Sequence, residues 1–243
     1  MKLGFVGTGT IATAVVHSLA PHGHDIHVSE RSRANAAALA ARYPSVHVAA
    51  NQIVVDQSDV IFLGLLPDVA EKTLPGLKFR PNQKVISFIA GIGLDKINEM
   101  VAPASAVALM LPYPNIVEPG SVIPMLGDKA LISRLFAPQH QIVLLNDEQE
   151  MAAVLCAQAV LSPVALLVKT ATDWLENAGV DRARGEPFLR GLVASNLKET
   201  ETRTLLSALN TEGGFNQRLR EHMERSGMEG ALLKGLDHLL AQS

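Results

Sequence analysis

Cysteine is almost missing from this chain: Cys156 stands alone among 243 residues. No internal disulfide can form, so a reducing compartment, the cytoplasm, is the expected setting. A chain of this length buries roughly 70–75% of its unfolded surface and needs no covalent staple. Aromatic residues are scarce at 4%, and no excess of one charge exists, the formal net charge being -3. Basic residues are scattered, without the clustered face that a phosphate backbone calls for, so no nucleic-acid partner is expected. There is no HExxH and no cysteine pair. His22, His24 and His27 crowd one loop before a strand and read as solvated, so no metal is expected. The opening KLGFVGTGTIA lacks the charged-then-apolar pattern of a secretory leader. Long apolar runs are missing too, with one exception. Met151–Val168 carries no charge and approaches the lower length limit of a membrane span. Its alanines, with Gln158, Ser162 and Pro163, point instead to a helix buried on all sides in a soluble core or dimer interface, with no membrane partner.

What is present is an alternation of short apolar runs with helical patterns, the signature of a parallel sheet wrapped by helices. Strands are expected at Leu3–Val6, Ile26–Ser29, Val46–Ala49, Asp59–Leu65, Lys84–Ala90, Ala106–Leu111 and Gln141–Leu145, with helices at Ile11–Leu19 and about Arg33–Arg42. The runs DVIFLGL and KVISFIA are apolar throughout, as suits central strands covered on both faces. After Asn146 the strand pattern stops. Helices are expected over about 147–178, 181–209, 216–225 and 228–241, the first opened by Asp147 and Glu150 in a capping-box spacing. The expected domains are therefore residues 1–146, a doubly wound α/β sheet, and residues 147–243, all α.

Gly7-Thr8-Gly9-Thr10-Ile11-Ala12 fits G-x-G-x-x-G/A between a strand and a helix. The first glycine permits the tight turn and the second lets backbone approach a pyrophosphate. Ala12 allows helix and strand to pack closely. Free N–H groups at the helix start then face the anion. In this context the motif indicates a Rossmann-type dinucleotide site. About twenty residues on, Ser29-Glu30-Arg31-Ser32-Arg33 should read the ribose. Glu30 would bond the hydroxyls of NAD or pair with a neighbouring arginine, whereas Arg31, Ser32 and Arg33 offer donors to a 2′-phosphate. NADP is the expected cofactor, with NAD as the alternative that Glu30 keeps open.

Several segments together resemble the pyrroline-5-carboxylate reductase family. GFVGTGTIATAVVHSL is similar to that family's GFIGxGxMxxAIxxGL, DVIFLGLLP to DVVxLAVKP, and VISFIAGI to VVSIAAGI. Ser29–Ser32 resembles its S/T-N-R-S/T, with Glu30 in place of Asn. The resemblance implies that Leu65, Leu66 and Pro67, with Ala90 and Gly91, line the nicotinamide side, Leu66 standing where the family has lysine. The family's M-P-N-T-P appears as Leu111-Pro112-Tyr113-Pro114-Asn115, so Pro112 is carried over as substrate-lining. Its S-P-G-G-x-T reads Thr211-Glu212-Gly213-Gly214-Phe215-Asn216. The resemblance implies that Gly213 and Gly214 offer backbone amides to a substrate carboxylate, Phe215 lies beside it, and Asn216 and Thr211 serve the imine nitrogen. A plain helix–helix turn with glycine caps is the competing account of that segment.

The activity so implied is NAD(P)H-dependent reduction of a small imine, an amino-acid-derived cyclic one included, as in proline biosynthesis. The small-molecule substrate would bind between the two domains of a homodimer joined through its C-terminal helices. Two alternatives are a carbonyl or hydroxyacid dehydrogenase using Lys169, and a non-catalytic dinucleotide sensor. Lys169 and Asp173 stand one turn apart and read as a surface ion pair. Trp174 and Leu175 read as packing residues, and Glu199 and Glu201 as a solvated helix face.

Overall fold

Continuous apolar runs in the front half become an eight-stranded sheet in the computed structural model, which describes residues 1–242. The elements in chain order are β1 (Lys2–Val6), α1 (Thr10–Leu19), β2 (Asp25–Ser29), α2 (Arg33–Arg42), β3 (Val46–Ala49), α3 (Asn51–Asp56), β4 (Val60–Leu63) and α4 (Pro67–Thr73). There follow β5 (Lys84–Ser87), α5 (Leu94–Val101), β6 (Ser105–Met110), β7 (Val122–Gly127), α6 (Lys129–Phe136) and β8 (Gln141–Leu144). The strand order is β3-β2-β1-β4-β5-β6-β7-β8. β1 to β6 are parallel, and the order reverses between β1 and β4. This is the doubly wound Rossmann-type arrangement, whose ligand crevice opens at that switch point.

Side-chain alternation divides each apolar run between two cores. Leu3, Phe5, Phe62 and Ile86 bury on one face, where Phe5 and Phe62 stack at 4.6 Å between centroids. Val6, Ile61, Leu63 and Val85 bury on the other, against α3, α4 and α5. Both faces are dry, so the strands tolerate no polar alternation.

The structure corrects the sheet's far end. β8 joins the sheet through β7, which runs antiparallel to β6 and parallel to β8. Pro124 hides β7 in the sequence because proline lacks the ladder N–H. Its carbonyl still accepts the Leu111 N–H at 2.9 Å.

Two compact units part between Val154 and Leu155, later than the change of texture at residue 146. The cause lies in the first turns of α7 (Glu148–Ala157). Met151 is buried with Leu109 and Leu145, and Val154 packs on them. The Glu148 carboxylate accepts the Leu94 N–H at 3.0 Å at the start of α5. Asp147 accepts the Glu150 N–H at 2.8 Å, as a capping box requires, whereas Glu150 reaches back to the Asn146 amide at 2.8 Å and bypasses that of Asp147.

The second unit continues with α8 (Leu161–Asn177), α9 (Arg182–Glu199), α10 (Thr202–Ala208), α11 (Phe215–Arg225) and α12 (Met228–Leu240). The helix expected over 181–209 breaks at Thr200. Glu201 accepts the Thr204 N–H at 3.0 Å and so caps α10, and both it and Glu199 are exposed, as a solvated face requires. Among the described residues of this unit only Thr172 and Gly185 are buried. The helix around Met151–Val168 is thus not buried on all sides within the chain, and Trp174 is 68% exposed where packing was expected. Among the described residues, many apolar side chains of these helices have no second layer to cover them. The stretch Glu148–Asn177, with a 3-10 turn at Gln158–Val160, is long and apolar enough to cross a membrane, and 11% of its apolar window is buried.

Candidate functional site

Parallel strands all leave the sheet at the same edge, so β1, β2, β4 and β5 deliver their loops to one place. The turn after β1 is shaped by its glycines. Gly7 has φ +100, a conformation that strains any side chain, and the carbonyl of Gly64 after β4 occupies the space its Cβ would need. Gly9 is different. Its φ is -69, and a Cβ there would meet no protein atom within 4 Å. Nothing in the chain demands glycine at position 9, which fits a site where an external molecule approaches the backbone. Ala12 is buried against Gly64, whose own Cβ would stand 2.8 Å from that of Ala12, so the third small position also acts as expected. α1 starts at this turn with no side-chain cap and no acidic residue in its first turn. The first amides of such a helix have no partner inside it and attract an anion. Thr10 is exposed there and Ile11 half-buried.

The end of β2 stitches the turn in place. Ser29 is fully buried, and its hydroxyl accepts the Gly7 N–H at 2.8 Å. Thr8 Oγ1 donates to the Ser29 carbonyl at 3.3 Å. Ser29 is thus a brace for the turn rather than a surface for the ribose. Glu30, Arg31 and Arg33 are exposed and Ser32 is half-buried as the N-cap of α2. Among the described residues no ion pair joins Glu30 to a neighbouring arginine. Both arginines stand free beside the cradle.

The other flank comes from β4 and β5. Leu65 lies against Gly7, its Cδ2 being 3.0 Å from the position of a Cβ there. Leu66 caps α4 and is 73% exposed, an apolar side chain left in water at the crevice edge, and Pro67 opens that helix. Ala90 and Gly91 follow β5 and are exposed, with Gly91 at φ +74. After β6, Pro112 is buried. Among the described residues the buried Tyr113 hydroxyl has no hydrogen-bond partner, and burial pushes its pKa up, which keeps the proton on it.

In the second unit the turn at residues 211–216 departs from the expected anion nest. Gly213, at φ +70, donates its N–H to Gln217 Oε1 at 2.8 Å, and Gly214 donates to the Thr211 carbonyl at 2.9 Å. Both glycine amides are already used inside the turn. The free donors are those of Phe215, Asn216 and Gln217, the first turn of α11, since Arg218 N–H is the first to bond back, to the Gly214 carbonyl. Phe215 is 90% exposed.

Lys169 pairs with Asp173 at 2.6 Å on the surface, and Asp173 also binds Arg182, which reaches Glu176 at 3.2 Å. The Lys169 and Arg182 hydrogen bonds hold the Asp173 carboxyl below its usual range. Of the expected solvated histidines, His27 is largely buried beside His47 and Asp25, and desolvation lowers its pKa. The sequence carries no signal for Gln217, or for Asn35, whose Nδ2 donates to the Thr8 carbonyl at 2.7 Å, because one hydrogen-bonding amide on a helix leaves no pattern.

The family model described as NADP oxidoreductase, coenzyme F420-dependent, matches residues 2–91. Pyrroline-5-carboxylate reductase 1 of Bacillus spizizenii is 29% identical over 118 residues, which are 46% of this chain and 40% of that protein's length. A 1-pyrroline-5-carboxylate reductase structure from Streptococcus pyogenes has a TM-score of 0.83 at 22% identity, covering 100% of this chain and 97% of that one. A Plasmodium falciparum pyrroline carboxylate reductase with NADP bound also gives 0.83, at 16% identity, covering 100% and 96%. A reductive aminase of Aspergillus terreus in complex with NADPH and ethyl levulinate gives 0.62 at 22% identity, covering 86% and 75%. The resemblance to pyrroline-5-carboxylate reductases holds in sequence over part of the chain and in fold over all of it.

Proposed function

We propose that this chain is an NADPH-dependent reductase of a small imine, with an amino-acid-derived cyclic imine of the pyrroline-5-carboxylate kind as its substrate class. The observation that carries this function is the cradle at Gly7–Ala12. Its first glycine is required by the protein's own backbone, while at its second a side chain would stand in open space, the space this proposal gives to the pyrophosphate. The N–H groups at the start of α1 hold the pyrophosphate. Arg31, Ser32 and Arg33 take the 2′-phosphate, with Ser29 bracing the turn. Leu65, Leu66, Pro67, Ala90 and Gly91 flank the nicotinamide, which when bound supplies a hydride. Imine reduction then requires little beyond orientation and a protonated nitrogen. Asn216 and Thr211 are the polar side chains assigned to that nitrogen. The amides of Phe215, Asn216 and Gln217 take over the carboxylate role first given to Gly213 and Gly214. Pro112 and Phe215 are the apolar residues that the resemblance assigns to the substrate.

The chain acts as a cytoplasmic homodimer in this proposal, serving a step such as that of proline biosynthesis. Support for the dimer is the uncovered apolar surface of the second unit. A groove of about 990 Å³, lined by Pro163, Leu166, Leu167, Leu232 and Leu239 among others, runs between its helices. Leu161, Leu166 and Phe188 are each more than 60% exposed. A patch of this kind on a soluble chain marks an interface.

Titration of the protein's fluorescence with NADPH and NADH tests the cradle, and failure to bind either removes the proposal. A panel of cyclic imines and keto acids, followed by cofactor oxidation, separates an imine reductase from a carbonyl dehydrogenase and from a non-catalytic sensor. Lys169→Ala is expected to leave turnover unchanged, because Lys169 is held in a surface ion-pair network.

A further inference from the structure

We infer that Asn35 is a positioning residue for cofactor choice: it fixes the distance between the pyrophosphate turn and the 2′-phosphate donors, and so favours the phosphorylated dinucleotide. The inference rests on the proposed NADPH site and names a residue that does not itself touch the cofactor. Asn35 is the third residue of α2, and its Nδ2 donates to the Thr8 carbonyl at 2.7 Å, across 27 residues of sequence. Among the described residues this is the one side-chain hydrogen bond recorded from α2 to the glycine turn. Asparagine is a weak helix former, and Asn35 is exposed, so neither propensity nor burial accounts for it.

The turn does not need Asn35 for its own shape. The Thr8 carbonyl also accepts Thr13 Oγ1 at 3.2 Å, Gly7 N–H is held by the Ser29 hydroxyl, and Thr8 Oγ1 is held by the Ser29 carbonyl. These three bonds tie the turn to α1 and β2. Only Asn35 ties it to the helix that begins at Arg33, whose preceding residues are Arg31 and Ser32. A ligand with phosphates at both places is bivalent, and its second anchor depends on how well the two sites are spaced. NADH lacks the 2′-phosphate and so has no charged second anchor: its ribose hydroxyl can meet Glu30 by a single hydrogen bond, and its affinity depends less on that spacing.

The test is titration of the full chain and its Asn35→Ala and Asn35→Gln variants with NADPH, NADH and 2′-AMP, alongside thermal melts. For Asn35→Ala the NADPH dissociation constant should rise about tenfold, the scale of one lost hydrogen bond within a preorganised site. NADH affinity should change less than about threefold. Binding of 2′-AMP, which needs one anchor only, should not change, nor should the melting temperature. Asn35→Gln, which keeps the amide donor, should restore part of the NADPH affinity. Equal losses for NADPH and NADH, no loss for either, or a parallel loss of 2′-AMP binding would each overturn the inference. Failure of the unmodified chain to bind any dinucleotide is a separate result, and it removes the NADPH site itself.

Discussion

The backbone N–H of Gly213 points into the side chain of Gln217, with 2.8 Å between the amide nitrogen and Oε1. A neutral oxygen of the chain therefore occupies the donor that the family resemblance assigns to a substrate carboxylate. Gln217→Ala removes this competitor. One net hydrogen bond amounts to about 1 kcal/mol, so KM for a carboxylate-bearing cyclic imine should fall roughly fivefold with kcat unchanged. An unchanged KM would mean that a freed Gly213 amide adds nothing to the donors of Phe215, Asn216 and Gln217. Asn216→Ala should lower kcat instead.

Gly7 and Gly9 should respond in opposite ways to alanine. At Gly7 the new Cβ sits at φ +100 and against the Gly64 carbonyl, which costs about 1–3 kcal/mol in backbone strain alone. A melting temperature lower by several degrees is expected. At Gly9 the Cβ meets no protein atom, so the melting temperature should hold while NADPH affinity collapses. Intact affinity in Gly9→Ala would show that no ligand approaches this backbone.

Acid should destabilise the fold through histidines that are half-buried, as His17, His24 and His27 are, or buried, as His140 is. Desolvation lowers the pKa of His17, His24, His27 and His140, with Arg42, the N-terminal amine, His22, His47 and Lys2 adding positive charge nearby. Asp25 opposes the shift at His27 alone. A group whose folded pKa is depressed binds more protons unfolded, so its stability contribution is full above the ordinary value near 6.5 and declines as pH falls below it. Urea midpoints should drop as the pH falls below about 6.5. His27→Gln should flatten that slope. A midpoint constant across this window contradicts the desolvation account.

The proposed homodimer has a direct test in sedimentation at micromolar protein. Leu166, 61% exposed on α8 and lining the apolar groove, should matter to association when changed to glutamate. The unmodified chain is expected at twice the monomer mass and Leu166→Glu at monomer mass, with NADPH binding retained. A monomer without the mutation, or a chain soluble only with detergent, rejects the dimer, the latter in favour of a membrane surface for Glu148–Asn177.

Local sequence alone determined the sheet's first six strands, the turn at Gly7–Ala12 and the site's general chemistry. Those features depend on neighbouring residues: apolar runs covered on both faces, a glycine that must reach φ > 0, a helix start with spare amides. Tertiary structure decided the rest. β7 was invisible behind Pro124, and the unit boundary moved because Met151 and Glu148 find partners far back in the chain. Ser29 became a buried brace, Gln217 closed the expected anion nest, and Asn35 reached Thr8. Each of these is one side chain meeting one distant backbone atom. Such a pairing has no period and no spacing rule, so only the folded chain reveals it.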